Sequence, residues 1–65
     1  MKEQTAWAIA EHLSSGWVLC HFTIRRSKKD AIDQIKRTTG YLSWTQLKRD
    51  LKLKAVQITI FWEPL

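Results

Sequence analysis

Ala55-Val56-Gln57-Ile58-Thr59-Ile60-Phe61-Trp62 is the most regular run in the chain. Its side chains alternate, with Val56, Ile58, Ile60 and Trp62 on one side and Gln57, Thr59 and Phe61 on the other. A strict period of two in β-branched and aromatic residues describes a half-buried strand. A strand needs partners, and the rest of the chain must supply them.

Upstream of this strand the period changes. Ser43-Trp44-Thr45-Gln46 fits a capping box, with a hydroxyl at the N-cap and an amide three residues on. Trp44, Leu47 and Leu51 then continue an apolar stripe at helical spacing. Further back, Ser27 precedes Lys28-Lys29-Asp30, which caps a helix start and places acid in its first turn. Ala31, Ile32 and Ile35 form the apolar side of that helix, and Gly40 stands where a left-handed C-terminal cap is wanted. The middle of the chain therefore reads as two short helices, or one helix broken at Gly40.

The partners lie at the start. Residues 4–12 and 17–25 are rich in aromatic, β-branched and small apolar residues, and Leu13-Ser14-Ser15-Gly16 joins them as a hairpin loop. Pairing His12 with Trp17 sets Ala10 against Leu19, Ile9 against Cys20, Ala8 against His21 and Trp7 against Phe22. One face then collects Trp7, Ile9, Val18, Cys20, Phe22 and Ile24. The other collects Ala6, Ala8, Ala10, His12, Trp17, Leu19, His21 and Thr23. A slip of one residue would mix the two sets.

The order β-β-α-(α)-β predicts an α+β fold, a three-stranded sheet with the helical segments packed on one face. The helices are expected over Trp7, Val18, Phe22, Ile24, Val56, Ile58 and Ile60, with Trp7, Trp44 and Trp62 in the core. Whether the last strand pairs with the first or the second is open at this level. The chain reads as a single domain over residues 1–65, without repeat or linker.

Composition narrows the function classes. The 65 residues are 45% hydrophobic and 26% charged, which is a globular mixture. So short a chain needs its large side chains for the core, and a deep substrate pocket would compete for them. No nucleophile stands beside a base, no glycine-rich phosphate loop occurs, and a non-enzymatic protein without cofactor is expected. Cys20 and His21 are adjacent in a strand and point to opposite faces, so no metal site is expected either. A single cysteine rules out an intrachain disulfide, and no apolar run approaches the length of a signal peptide core or a membrane span. A cytoplasmic location, away from membranes, is the expectation.

Charge divides the chain sharply. Residues 25–54 hold ten Lys/Arg and three Asp, net +7, within a chain of net +5. The ten are Arg25, Arg26, Lys28, Lys29, Lys36, Arg37, Lys48, Arg49, Lys52 and Lys54. All fall on or beside the helices, which predicts a basic helical layer able to contact the phosphate backbone of DNA or RNA. Arg25 and Arg26 end a strand next to a helix N-terminus, where backbone N–H groups also attract anions. Solubility alone also favours lysine-rich helix faces, and Asp30, Asp33 and Asp50 offer local pairing. The alternative is a protein interface, to a second copy or a host protein, on the sheet face opposite the helices. Trp17, Leu19, His21 and Phe61 are its candidate residues.

Taken together, Trp7-Ala8-Ile9 with Glu11, Gly16-Trp17, Ser27-x-x-Asp30-Ala31-Ile32, Ser43-Trp44-x-x-Leu47 and Val56-x-Ile58-x-Ile60 resemble a pattern in small uncharacterised proteins of phage and prophage accessory genes. The resemblance spans about Trp7 to Ile60 and implies a stand-alone bacterial or phage cytosolic module. It carries no functional residues, and Cys20, His21 and the long basic stretch depart from it.

Overall fold

A computed structural model describes residues 2–63. Its elements are β1 (Lys2–Leu13), β2 (Gly16–Arg25), α1 (Lys28–Thr39), α2 (Trp44–Leu51) and β3 (Leu53–Trp62). The sheet order is β2-β1-β3, all antiparallel, with both helices on one face. The strand order left open by the sequence resolves in favour of β1 as the central strand, and β3 pairs with β1 from Lys2↔Trp62 to Glu11↔Leu53.

The helices begin and end where their capping residues stand. Ser27 Oγ accepts the Asp30 N–H and Ser43 Oγ accepts that of Gln46, so each serine satisfies a donor left free by the first turn. Gly40 closes α1 at φ 80°, donating its N–H to Lys36 O. Lys52 closes α2 in the same left-handed conformation at φ 56°, a geometry that costs a residue with a Cβ. The carbonyl of Lys52 accepts the His12 N–H at 2.9 Å, which fastens the α2–β3 connection to β1. Ile9, Ala31, Ile35, Leu47 and Leu53 form the core, with Trp7, Ile32, Tyr41, Trp44, Leu51 and Ala55 packed around them.

The hairpin register agrees with expectation only near its turn. His12↔Trp17, Ala10↔Leu19 and Ile9↔Cys20 pair as predicted, but Trp7 pairs with Arg25, not Phe22. Five residues of β2 thus advance against two of β1, and the predicted Ala8–His21 pair does not form. Thr23 occupies the break and is 0% exposed. Its hydroxyl accepts the Ile9 N–H at 2.8 Å and donates to Cys20 O at 2.6 Å, replacing ladder bonds that the backbone no longer makes. Arg25 Nη1 donates to Phe22 O and Ile24 O and holds the outer side of the same irregularity. Thr23, expected on the open face, is in fact a buried polar linchpin. Phe22, expected in the core opposite Trp7, is half exposed.

β3 departs further from the expected arrangement. Directly paired residues in an antiparallel sheet point to the same side. Ile9 faces the helices, so its partner Ala55 and the next-but-one residue Leu53 do as well. Val56, Ile58, Ile60 and Trp62 therefore share a side with Ala8, Ala6, Gln4 and Lys2, facing away from the helices. Sequence alone predicts the helices on this stripe. Small Ala55 lets the helical layer approach the sheet closely, and the bulky β-branched row is left on the other side.

Candidate functional site

The open sheet face is more apolar than the face beneath the helices. Along β1 it carries Ala6, Ala8 and Ala10; along β3, Val56, Ile58, Ile60 and Trp62; along β2, Trp17 and Leu19. All three alanines are buried although they face away from the helices, Ala8 completely. With so short a side chain in the central strand, larger neighbours from both edge strands roof the alanine row. The outer surface is then a band of Val56, Ile58, Ile60 and Leu19, partly buried, between two half-exposed tryptophans. Trp17 is 49% and Trp62 46% exposed. Charge is confined to the ends of the band, with Lys2 beside Trp62 and Lys54 with His12 beside Trp17.

The Trp17 end is organised. His12 stacks at a tilt on the indole with centroids 4.9 Å apart. Lys54 Nζ lies 4.1 Å from the Trp17 ring centroid, close enough for a cation–π contact. Trp17 thus presents an apolar ring with its polar neighbours His12 and Lys54 against it.

Of the four residues expected at this interface, Trp17 and Leu19 lie within it. His21 is exposed at the start of the irregular segment of β2. Phe61 is not part of the face: it pairs with Glu3, which places it on the helix side, 61% exposed beyond the helices' reach. Trp62 takes its place, although sequence reasoning assigns it to the core with Val56, Ile58 and Ile60. The alternation itself identifies that row as one surface. Nothing in it says which side the helices take.

The ten basic residues do not form one uniform layer. Lys54 is on the open sheet face. Arg25 is bound to the carbonyls of Phe22 and Ile24. Lys28 lies over the Trp7 ring at 5.8 Å and Lys48 over Trp44 at 5.9 Å. Arg49 reaches Asp50 at 3.5 Å, the one ion pair among the described residues. Arg26, Lys29, Lys36, Arg37 and Lys52 have neither a carboxylate, a ring nor a carbonyl partner among the described residues. Asp33, Lys36, Arg37, Gly40, Tyr41 and Leu42 line a cleft of about 410 Å³ at the end of α1, wide open to solvent and of mixed charge. Tyr41 Oη donates to Asp50 Oδ2 of α2 at 3.4 Å.

Cys20 lies on the helix side of β2 and is a free thiol, half-buried. Burial pushes its pKa up, and the Glu11 carboxylate adds to the shift. Both causes oppose the thiolate that nucleophilic chemistry requires. Among the described residues no three His, Cys, Asp or Glu side chains gather as a metal site would need. No described helix is long and apolar enough to cross a membrane. Comparison with family models, curated proteins and solved structures finds no match to this chain.

Proposed function

We propose that this chain is a small non-enzymatic protein-binding module whose contact surface is the open face of its sheet. One observation carries the reading: Val56, Ile58, Ile60 and Trp62, the most apolar row of the molecule, point away from the helical layer that covers the sheet. An antiparallel sheet with a solvated face normally puts polar residues there. Here the helix side of β3 carries Leu53 and Ala55 under the helices and then Gln57 and Thr59, both exposed, while the opposite side carries the β-branched row. An apolar band between two tryptophans, with charge only at its ends, has the anatomy of an interface core and rim. Site-specific photocrosslinking tests this. Benzoylphenylalanine introduced at Leu19 should give polypeptide adducts in cells, and the same probe at Arg37 on the helical layer should give few. Equal yields, or none from Leu19, would sink the reading.

A second reading has its own support. Five cations of the helical segment and its flanks, Arg26, Lys29, Lys36, Arg37 and Lys52, have no carboxylate, ring or carbonyl partner among the described residues, so they are free to meet phosphates. Contact with DNA or RNA through this layer would be compatible with a protein contact on the opposite face. Titration with duplex and single-stranded DNA and RNA should then show binding that weakens steeply between about 50 and 200 mM salt. Absence of binding at the lower salt removes this reading without touching the first.

A further inference from the structure

We propose that the occupant of the open face is a second copy of this chain, the two sheets packing face to face with the helices outside. The proposal rests on the reading of that face as a protein contact surface and names its partner.

Shape is the first argument. The molecule measures 41 × 26 × 15 Å with a Cα radius of gyration of 12.8 Å. A compact chain of 65 residues would have a radius near 11 Å. Two 15 Å slabs stacked on their open faces give a particle of roughly 15 Å radius, against about 14 Å for a compact chain of twice the length. The single chain has the proportions of half a globule, and stacking restores those of a whole one.

Surface area makes the same point. The chain exposes 4878 Å², while a folded monomer of its 7.7 kDa exposes about 4,300 Å². The excess of roughly 500–600 Å² matches the open face itself: three strands about 4.8 Å apart and some 30 Å long cover roughly 400 Å² in projection, and more once corrugated. Two such faces bury about 1,200 Å² in total, at the lower edge of the range for stable specific complexes. A second copy therefore supplies enough area, and the association is expected to depend on concentration in the accessible range.

Electrostatics permits it. Each chain carries +5, which would oppose association if the charge lay at the contact. It lies mainly on the helical segment, on the far side of the sheet, so two sheets separate the two basic layers in the stack. Lys2, Lys54 and His12, the basic residues of the contact face, all sit at its ends. Aligned sheets cross at about 30°, which leaves end residues free to reach solvent. Pairing the free edges of β3 would instead make one long sheet and leave the apolar face uncovered on both copies.

Small-angle scattering coupled to size exclusion, from about 10 µM to 1 mM, reads the outcome, because stacked, edge-paired and single chains should give Cα radii of roughly 15, 18 and 13 Å. Trp62→Ser should weaken association at least tenfold, as should Trp17→Ser on the other edge strand, while Phe61→Ser should not. Phe61 and Trp62 are neighbours in sequence on opposite faces, so the pair separates a face-specific effect from general loss of hydrophobicity. Far-UV circular dichroism identifies any variant that fails to fold, and the two tryptophan variants lie on different strands. A monomer at every concentration, an 18 Å dimer, or equal effects of Phe61→Ser and Trp62→Ser would each overturn the stack. The Leu19 crosslink keeps the two levels apart. An adduct of twice the chain mass supports the second copy. An adduct of any other mass overturns the second copy and leaves the protein-binding reading standing.

Discussion

Thr23→Val offers a close test of how the irregular hairpin is held. The substitution keeps the branched shape and removes only the hydroxyl. In the folded protein that hydroxyl accepts the Ile9 N–H at 2.8 Å and donates to Cys20 O at 2.6 Å, and both Thr23 and Ile9 are 0% exposed. Water cannot easily replace it at Ile9. An unpartnered buried polar group costs about 1–3 kcal/mol, and the carbonyl of Cys20, less deeply buried, adds a fraction of that. A loss of about 2–3 kcal/mol is expected, against a total of roughly 3–10 kcal/mol for a domain of this length. The melting temperature should fall by about 10–20 °C, since each kcal/mol moves a domain this small by about 4–8 °C. Urea unfolding followed by tryptophan fluorescence measures it, with Thr23→Ser as the partner variant. Serine keeps the hydroxyl and loses a methyl group, so its cost should be near 1 kcal/mol. If valine proves no worse than serine, the hydroxyl is not what holds the break, and the β2 register must have another cause.

Three further outcomes follow from particular residues. Lys52→Gly relieves a left-handed backbone at φ 56° and should raise stability by about 0.5–1 kcal/mol, seen as a higher melting temperature; an unchanged or lower value would show that the lysine is not strained. Ser43→Ala removes the cap of the eight-residue α2 and should cost about 1 kcal/mol in urea unfolding, whereas a change below the error of the measurement would assign α2 its stability from packing alone. Cys20, with its pKa raised by burial and by Glu11, should react with iodoacetamide at pH 8 more slowly than the same thiol in urea, and Glu11→Gln should speed the folded reaction. The sign follows from the thiolate being the reactive form. A folded rate equal to the unfolded one would contradict it. Because the folded protein holds the thiol proton more tightly than the unfolded chain, this group's contribution to stability is complete below the unfolded pKa and declines as pH rises through the folded one.

Parts of the fold are legible in short stretches of sequence. Ser27, Gly40 and Ser43 mark helix ends through bonds made within four residues, so local sequence suffices to place them. His12↔Trp17 follows from a turn of fixed length. The register beyond Ile9 is not legible in that way, because it depends on a threonine hydroxyl bridging Ile9 and Cys20 across a break in the ladder. Nothing in the alternation of residues 17–25 distinguishes Thr23 from an ordinary outward-facing strand residue.

The candidate site divides along the same line. That Val56, Ile58, Ile60 and Trp62 form one surface, and that the basic residues cluster between positions 25 and 54, is determined by sequence alone, since both are properties of spacing. Which side of the sheet the helices take is a tertiary decision. It is made by how closely α1 and α2 can approach β3, and Leu53 with the small Ala55 admits them where the β-branched row would hold them off. That choice turns an apparent core into an exposed band and moves Trp62 from the interior to the surface. The register of β1 with its two neighbours sets Lys54 beside Trp17, and the helices' choice of side puts that pair on the open face.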